Sequence, residues 1–393
     1  MDPSNLVNMI PYGRQSITPD DIDAVVRVLQ SDFLTQGPVV PAFERSVADH
    51  CGVEHAVAVN SATSALHIAC LALGLGPGDE LWTTPVSFVA SANCGLYCGA
   101  RVDFVDVDPV SVNMSVDALE GKLVEAAREG RSPKIVVPVH LSGQPCDMKR
   151  IRELSFEYGF KVIEDASHAI GATYLNTVVG DCAYSDVTVF SFHPVKIITT
   201  GEGGMALTRD ADVARLMQLL RSHGITRDPA SMTEPPHGGW YYQQIGLGFN
   251  YRLTDIQAAL GVSQMHRLQV MLERRRQLAD GYDKMLSALP IQFPQRLDDR
   301  SSAWHLYVVR LTDACKVSRA TVFQRLRDAG IGVNIHYIPI HLQPYFQNLG
   351  FQSGDFPNSE EYYRRAITLP IFPSMSDEQQ QLVVSELSRA LRS

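Results

Sequence analysis

Two rhythms of apolar positions alternate along this chain. Short apolar runs rich in β-branched residues fall at 56–59, 81–86, 101–107, 134–140, 161–164 and 187–192, and read as buried strands. Between most of them the apolar period changes to that of a helix, as over 116–129 and 148–158. Such alternation predicts a parallel sheet with helices on both faces. Ahead of it, Thr18-Pro19-Asp20-Asp21 caps a helix whose apolar positions are Ile22, Val25, Val26 and Leu29. Phe33-Leu34-Thr35-Gln36-Gly37-Pro38 ends that helix, and a second one, over 40–50, leads into the first strand.

Past residue 226 the pattern loosens. Residues 226–248 are irregular, and a loop of that length inside a compact protein is usually functional or disordered. Gly248-Phe249-Asn250-Tyr251-Arg252-Leu253-Thr254-Asp255 then caps one long helix expected over 256–289. The domain boundary is placed on this helix near Gly261, giving domains 1–261 and 262–393. The second half predicts a strand at 306–311, a helix over 318–329 and a last helix from Asp377, a smaller α+β domain.

Composition narrows the partners. Of 393 residues 45% are hydrophobic and 20% charged, the balance of a soluble globular chain. The net charge of −9 and the lack of a Lys/Arg cluster exclude a nucleic-acid footprint. Seven cysteines without a C-x-x-C pair read as reduced thiols in the cytoplasm, with no disulfide frame and no metal site. Residues 1–5 carry no basic-then-apolar leader, and no apolar run is long enough to span a membrane.

Ligands of α/β sheets sit beyond the carboxyl ends of strands, and the strand exits here carry chemistry. Lys196 ends the apolar stretch Val189-Phe190-Ser191-Phe192-His193-Pro194-Val195 and precedes Gly201, Gly203 and Gly204. Desolvation of such a lysine lowers its pKa and makes the amine a nucleophile toward carbonyls. Asp165 follows an apolar strand, so its carboxylate needs a cationic or protonated partner, which a pyridinium nitrogen supplies. Phe88 offers a ring to stack on, and His168 a hydrogen bond to a ring hydroxyl. Ser191 and the turn at Ala62-Thr63, where a strand meets a helix N-terminus, offer a phosphate cup. Lysine, aspartate, stacking aromatic and phosphate cup together describe a pyridoxal 5′-phosphate site.

The motifs Asn60-Ser61-Ala62-Thr63-Ser64-Ala65-Leu66, Glu164-Asp165-Ala166-Ser167-His168, Ser191-Phe192-His193-Pro194-Val195-Lys196 and Asn250-Tyr251-Arg252-Leu253 resemble those of the DegT/DnrJ/EryC1/StrS sugar aminotransferases. The resemblance runs over nearly the whole chain. It implies the aspartate-aminotransferase fold, fold type I of the pyridoxal-phosphate enzymes, with Lys196 as the Schiff-base lysine and Asp165 on the ring nitrogen. Ser191 and the Ala62-Thr63 backbone would take the phosphate, joined by Asn250 from the other subunit of a homodimer with shared sites. Tyr12, Phe33, Leu34, Thr35, His336, Tyr337, Ile338 and Pro339 match positions that contact the sugar nucleotide, and His193 and Glu202 fit sugar contact or proton relay. The branch that the resemblance favours aminates C4 of a UDP-linked 4-keto-6-deoxy sugar on the pseudaminic acid route, with L-glutamate as donor. Related dehydratases replace the lysine with histidine, so Lys196 argues against them. The complete set of Lys196, Asp165, Ser191 and Asn250 argues against a catalytically silent relative.

Overall fold

The computed structural model describes residues 9–392, so residues 1–5, read above for a leader, lie outside the described residues. Each of the six apolar runs of the first half becomes a strand: β1 (His55–Val59), β2 (Glu80–Thr83), β3 (Arg101–Phe104), β4 (Ile135–Val137), β5 (Lys161–Asp165) and β6 (Val187–Ser191). A seventh, β7 (Gly204–Thr208), begins at the last of the glycines after Lys196 and is not among the expected strands. They form one sheet in the order β1-β7-β6-β5-β4-β2-β3. From β3 to β6 all neighbours are parallel. β7 alone runs against both its neighbours, β6 and β1. The chain returns from β6 without a helix, and a direct return can only enter the sheet antiparallel.

Strand alternation divides the core. Ala58, Phe190, Met205 and Leu207 face one side, packed with Phe43 and Val47 of the helix α2 (Val39–Cys51). Val57, Val59, Val189 and Ala206 face the other, packed with Leu66 and Ile68 of α3 (Ala62–Ala72). Helices Ala90–Tyr97, Val116–Glu129, Met148–Tyr158 and Ala211–Arg221 complete the cover.

The long helix expected over 256–289 is two helices, Asp255–Met265 and Leu268–Leu286, broken at His266 and Arg267. Beside the break lies Asp21, on the first helix (Pro19–Leu29), which is wholly buried. Its carboxylate accepts from Ser263 Oγ at 2.6 Å, Gln264 Nε2 at 2.8 Å and Arg267 Nη2 at 2.6 Å. Residues 263, 264 and 267 share one face, and together they meet a buried charge that would be costly left unmet. Despite its burial, these donors and Thr18 hold the Asp21 carboxyl below the usual carboxylate range.

Along Leu268–Leu286 the packing partners change. Leu268, Met271 and Leu272 belong to the core under the large sheet. Leu278, Ala279, Tyr282 and Leu286 pack on a three-stranded antiparallel sheet of β8 (Ile291–Gln292), β9 (Tyr307–Leu311) and β10 (Ala366–Leu369). Helices Arg319–Asp328 and Asp377–Ala390 cover that sheet, an α+β arrangement. Within 226–248 only Ile225–Thr226 and Gln243–Gln244 pair among the described strands, and Trp240 stands exposed. Among the described residues no helix is long and apolar enough to cross a membrane.

Candidate active site

The carboxyl ends of β1, β5 and β6 open into a cavity of about 530 Å³ whose far wall comes from the C-terminal half, through His305 and residues 334–337. At its floor, β1 turns into α3. Ser61 caps that helix by accepting from Ser64 N at 3.1 Å, while the N–H groups of Ala62 and Thr63 have no helical carbonyl ahead of them. Gly204 is packed beneath this turn: a Cβ on it would lie 2.4 Å from the Ala62 nitrogen and from the Ser61 carbonyl carbon. Only glycine lets β7 approach so closely. Ser191, at the end of β6, lines the same cavity. Two free amides, a helix N-terminus and a hydroxyl form a cup for a phosphate.

Asp165 ends β5 and is buried. Its Oδ2 accepts from Ser91 Oγ at 2.6 Å and its Oδ1 from Ser167 N at 3.1 Å. Ser87 Oγ lies 2.7 Å from Ser91 Oγ and extends the chain of hydroxyls. Both carboxylate oxygens are thus fixed in direction while the residue faces the cavity.

Lys196 sits on the loop between β6 and β7. Thr199 Oγ1 donates to Phe192 O at 2.9 Å and Thr200 Oγ1 to Glu202 O at 2.7 Å, which folds the loop back on its own strand. Burial pushes the lysine amine down to about 8, against an opposing pull from Asp165. At neutral pH a usable fraction is therefore the free, nucleophilic amine.

Imidazoles crowd the other wall. Ser142 N donates to His168 Nδ1 at 3.3 Å, which leaves the ring proton on Nε2, 3.2 Å from the Tyr337 hydroxyl. Both nitrogens of His168 are engaged within the protein, so the Tyr337 hydroxyl is the group left to face a ligand there. Burial and then Lys196 and His336 hold His168 well below the usual imidazole range. Burial, again with Lys196, takes His336 down to about 3, and its Nδ1 lies 2.9 Å from Thr368 Oγ1. Tyr12 joins this wall because residues 10–12 run along 330–332 and Ile371 N donates to Tyr12 O at 3.0 Å.

The cavity thus gathers Tyr12, Ala62, Thr63, Phe88, Asp165, His168, Ser191, His193, Lys196, Glu202, His336 and Tyr337 of the residues anticipated above. Phe33, Leu34, Thr35, Asn250, Ile338 and Pro339 do not line it. Phe33 borders a separate groove beside the first helix, and Asn250 is exposed, paired through its backbone with Ser222. Ser87, Ser167, His305 and Asn334 line the cavity without having been anticipated, and Ser91 supports it from behind. The spacing Ser87-x-x-x-Ser91 just past a strand exit carried a signal for one helix face; His305 carried none. A phosphorylated pyridine fits this set: the cup for its phosphate, Phe88 beside the ring, an oriented carboxylate for its nitrogen and an amine for its carbonyl.

Comparison with known proteins agrees with the geometry. The model of the DegT/DnrJ/EryC1/StrS aminotransferase family matches residues 15–388. The spore coat polysaccharide biosynthesis protein SpsC of Bacillus subtilis is 39% identical over 375 residues, 94% of each chain. Among solved structures, Helicobacter pylori PseC, an aminotransferase involved in the biosynthesis of pseudoaminic acid, superposes with a TM-score of 0.90 at 30% identity, covering 98% of this chain and 99% of that one. Spr1654 of Streptococcus pneumoniae in its PLP form gives 0.88 at 30% identity over 98% of both chains, and it has also been solved in a PMP form.

Proposed function

The chain belongs to the DegT/DnrJ/EryC1/StrS aminotransferase family, and from that premise we propose that it transfers the amino group of L-glutamate to C4 of UDP-2-acetamido-2,6-dideoxy-β-L-arabino-hex-4-ulose. It is a pyridoxal-phosphate-dependent sugar aminotransferase; the proposal concerns which sugar and which donor. Transamination itself is supported by the meeting, in one cavity, of the low-pKa amine of Lys196 with the oriented carboxylate of Asp165. The likeness to PseC favours this sugar.

Pyridoxal phosphate supplies the carbonyl on which amines exchange and a ring that accepts carbanion charge. The chain's own residues do the rest. Asp165, held by Ser91 and Ser167, would keep a proton on the ring nitrogen. Lys196 Nζ would take a proton from the donor's α-carbon and return one, as general base and acid. Ser191 and the amides of Ala62 and Thr63 would hold the phosphate.

Tyr12, His336 and Tyr337 cover the sugar, while Ile338 and Pro339 continue that segment outward. Phe33, Leu34, Thr35 and Asn250 do not reach their own cavity and would serve the other one in a homodimer. On a chain of net charge −9, selectivity for the UDP moiety falls to such local groups. All seven cysteines are free, which supports a cytoplasmic setting.

A second reading has its own support. SpsC, a spore coat polysaccharide biosynthesis protein, is 39% identical against 30% for PseC, which favours another nucleotide-linked 4-keto sugar. The test is to offer the L-arabino hexulose, its D-xylo epimer and a 4-keto pentose in parallel and to read the product ring couplings by NMR. A kinetic preference for the L-arabino sugar is expected; preference for either of the others would move the protein to the second reading.

A further inference from the structure

His305 is the one buried imidazole lining the cavity that has no hydrogen-bond partner among the described residues. His168 and His336 each have theirs. The His305 side chain is 4% exposed, its Nδ1 is sealed from solvent, and its ring lies 4.3 Å from that of His168. A buried polar atom left without a partner is costly to the fold. The fold nevertheless holds the ring in place. Trp304, just before it, adopts φ 50°, a left-handed backbone that bulky side chains avoid. Arg275, fully buried on helix Leu268–Leu286, donates through Nη1 to Trp304 O at 3.1 Å, His305 O at 3.2 Å and Ile371 O at 3.0 Å. That guanidinium has no carboxylate partner among the described residues, and its Nε and Nη2 are unmatched as well.

Burial holds the His305 ring neutral, and His168, Lys196, Arg275 and His336 add in the same direction. A buried imidazole with an unmet nitrogen, backed by a guanidinium without a carboxylate partner among the described residues, favours an anion that accepts from it. No arginine lines the cavity. The cofactor phosphate has its own cup at Ala62, Thr63 and Ser191, the keto sugar ring is uncharged, and the diphosphate of a UDP-sugar hangs from C1, across the ring from the C4 that must reach Lys196. The anion left to place is a carboxylate of the amino acid.

We propose that His305 is a further substrate-binding residue whose imidazole receives a carboxylate of the amino donor, with Arg275 as the positioning residue behind it. The inference rests on the transaminase reading above.

The test compares the cofactor-loaded wild type with His305→Asn, which keeps one polar contact, and His305→Phe, which keeps the ring's shape and removes both nitrogens. Binding of glutarate, an unreactive dicarboxylate, is followed by calorimetry. The donor dependence of bleaching in the visible band is read separately from the KM for the sugar. Loss of one hydrogen bond to a charged group predicts that glutarate affinity and donor KM worsen about tenfold or more in Phe and less in Asn, with the sugar KM within about twofold. Should His305→Phe fail to fold, the Asn variant still decides. Unchanged glutarate binding in a folded variant, or a rise in the sugar KM instead, overturns the proposal alone. If glutamate leaves the wild type unbleached, the amino acid that does bleach it replaces glutamate in the comparison. Bleaching by none would end the transaminase reading, and this proposal with it.

Discussion

Gly204 and Ala62 are neighbours across the base of the cavity, so close that a methyl group on Gly204 would stand 2.4 Å from the Ala62 nitrogen. Gly204→Ala must therefore push the first turn of α3 away from the phosphate cup. We expect a loss of about 1–3 kcal/mol of stability from the overpacking alone, together with a fall of about tenfold or more in cofactor affinity if a single charged hydrogen bond is lost. Gly121→Ala is the control: it lies in a helix with open space around it and should raise the melting temperature slightly. Cofactor titration of both variants checks the pair, and an unimpaired Gly204→Ala would remove the cup from the phosphate.

A lysine whose amine is lowered from 10.5 to about 8 by burial makes the cofactor-free protein less stable than a neutral residue would. The unfolded chain binds more protons than the folded one between pH 8 and 10.5, so stability rises with pH across that window. Cofactor-free Lys196→Met should be the more stable protein at pH 7 by roughly 3 kcal/mol, with the advantage fading toward pH 10.5. The variant should also bind cofactor without the violet-edge absorbance and without turnover. Thermal melts across pH 7–10.5 measure the first effect, and equal slopes for both proteins would contradict the assigned amine.

Ser91 and Asp165 should separate direction from charge. Asp165→Asn removes the anion that holds a ring proton and should abolish most turnover with little change in fold. Ser91→Ala leaves the anion but frees one oxygen, for an expected loss of about 10-fold in kcat, the range of one hydrogen bond to a charged group. Steady-state rates decide the order; a Ser91→Ala loss as deep as that of Asp165→Asn would mean the hydroxyl acts directly.

Asn250 lies outside its own protomer's cavity, and its proposed role across a dimer can be read by complementation. Lys196→Ala and Asn250→Ala homodimers should each be impaired. Mixed under verified subunit exchange, they should regain one good site per heterodimer, about a quarter of wild-type activity at equal mixing by random pairing. No recovery would remove Asn250 from a shared site.

Much of this site was legible because β-branched runs mark strands and strand ends mark ligand positions. Lys196, Asp165, Ser191 and the Ala62-Thr63 turn lie far apart in sequence and still converge on one cavity. What escaped depended on partners that no local pattern encodes. Ser91 reaches an aspartate 74 residues away. Arg275 meets Trp304 and His305 through a backbone twist that no periodicity announces. Arg267, at the break between the two helices, reaches the buried Asp21 some 246 positions away; read locally, the same residues continue a helix. Phe33, Leu34 and Thr35 carry a motif, but a motif does not say which protomer's cavity it faces.

The single antiparallel strand has a kinetic meaning. β1 finds no partner in the large sheet until β7 has been made, since His55 pairs with Thr208 and Val59 with Gly204. A nascent chain emerging at about 5–20 residues per second therefore carries β1 and the Ala62 turn for several seconds before the glycine that seats them leaves the ribosome. Cofactor capture is in this sense a late event of synthesis, closed to any chain that stops short of Gly204.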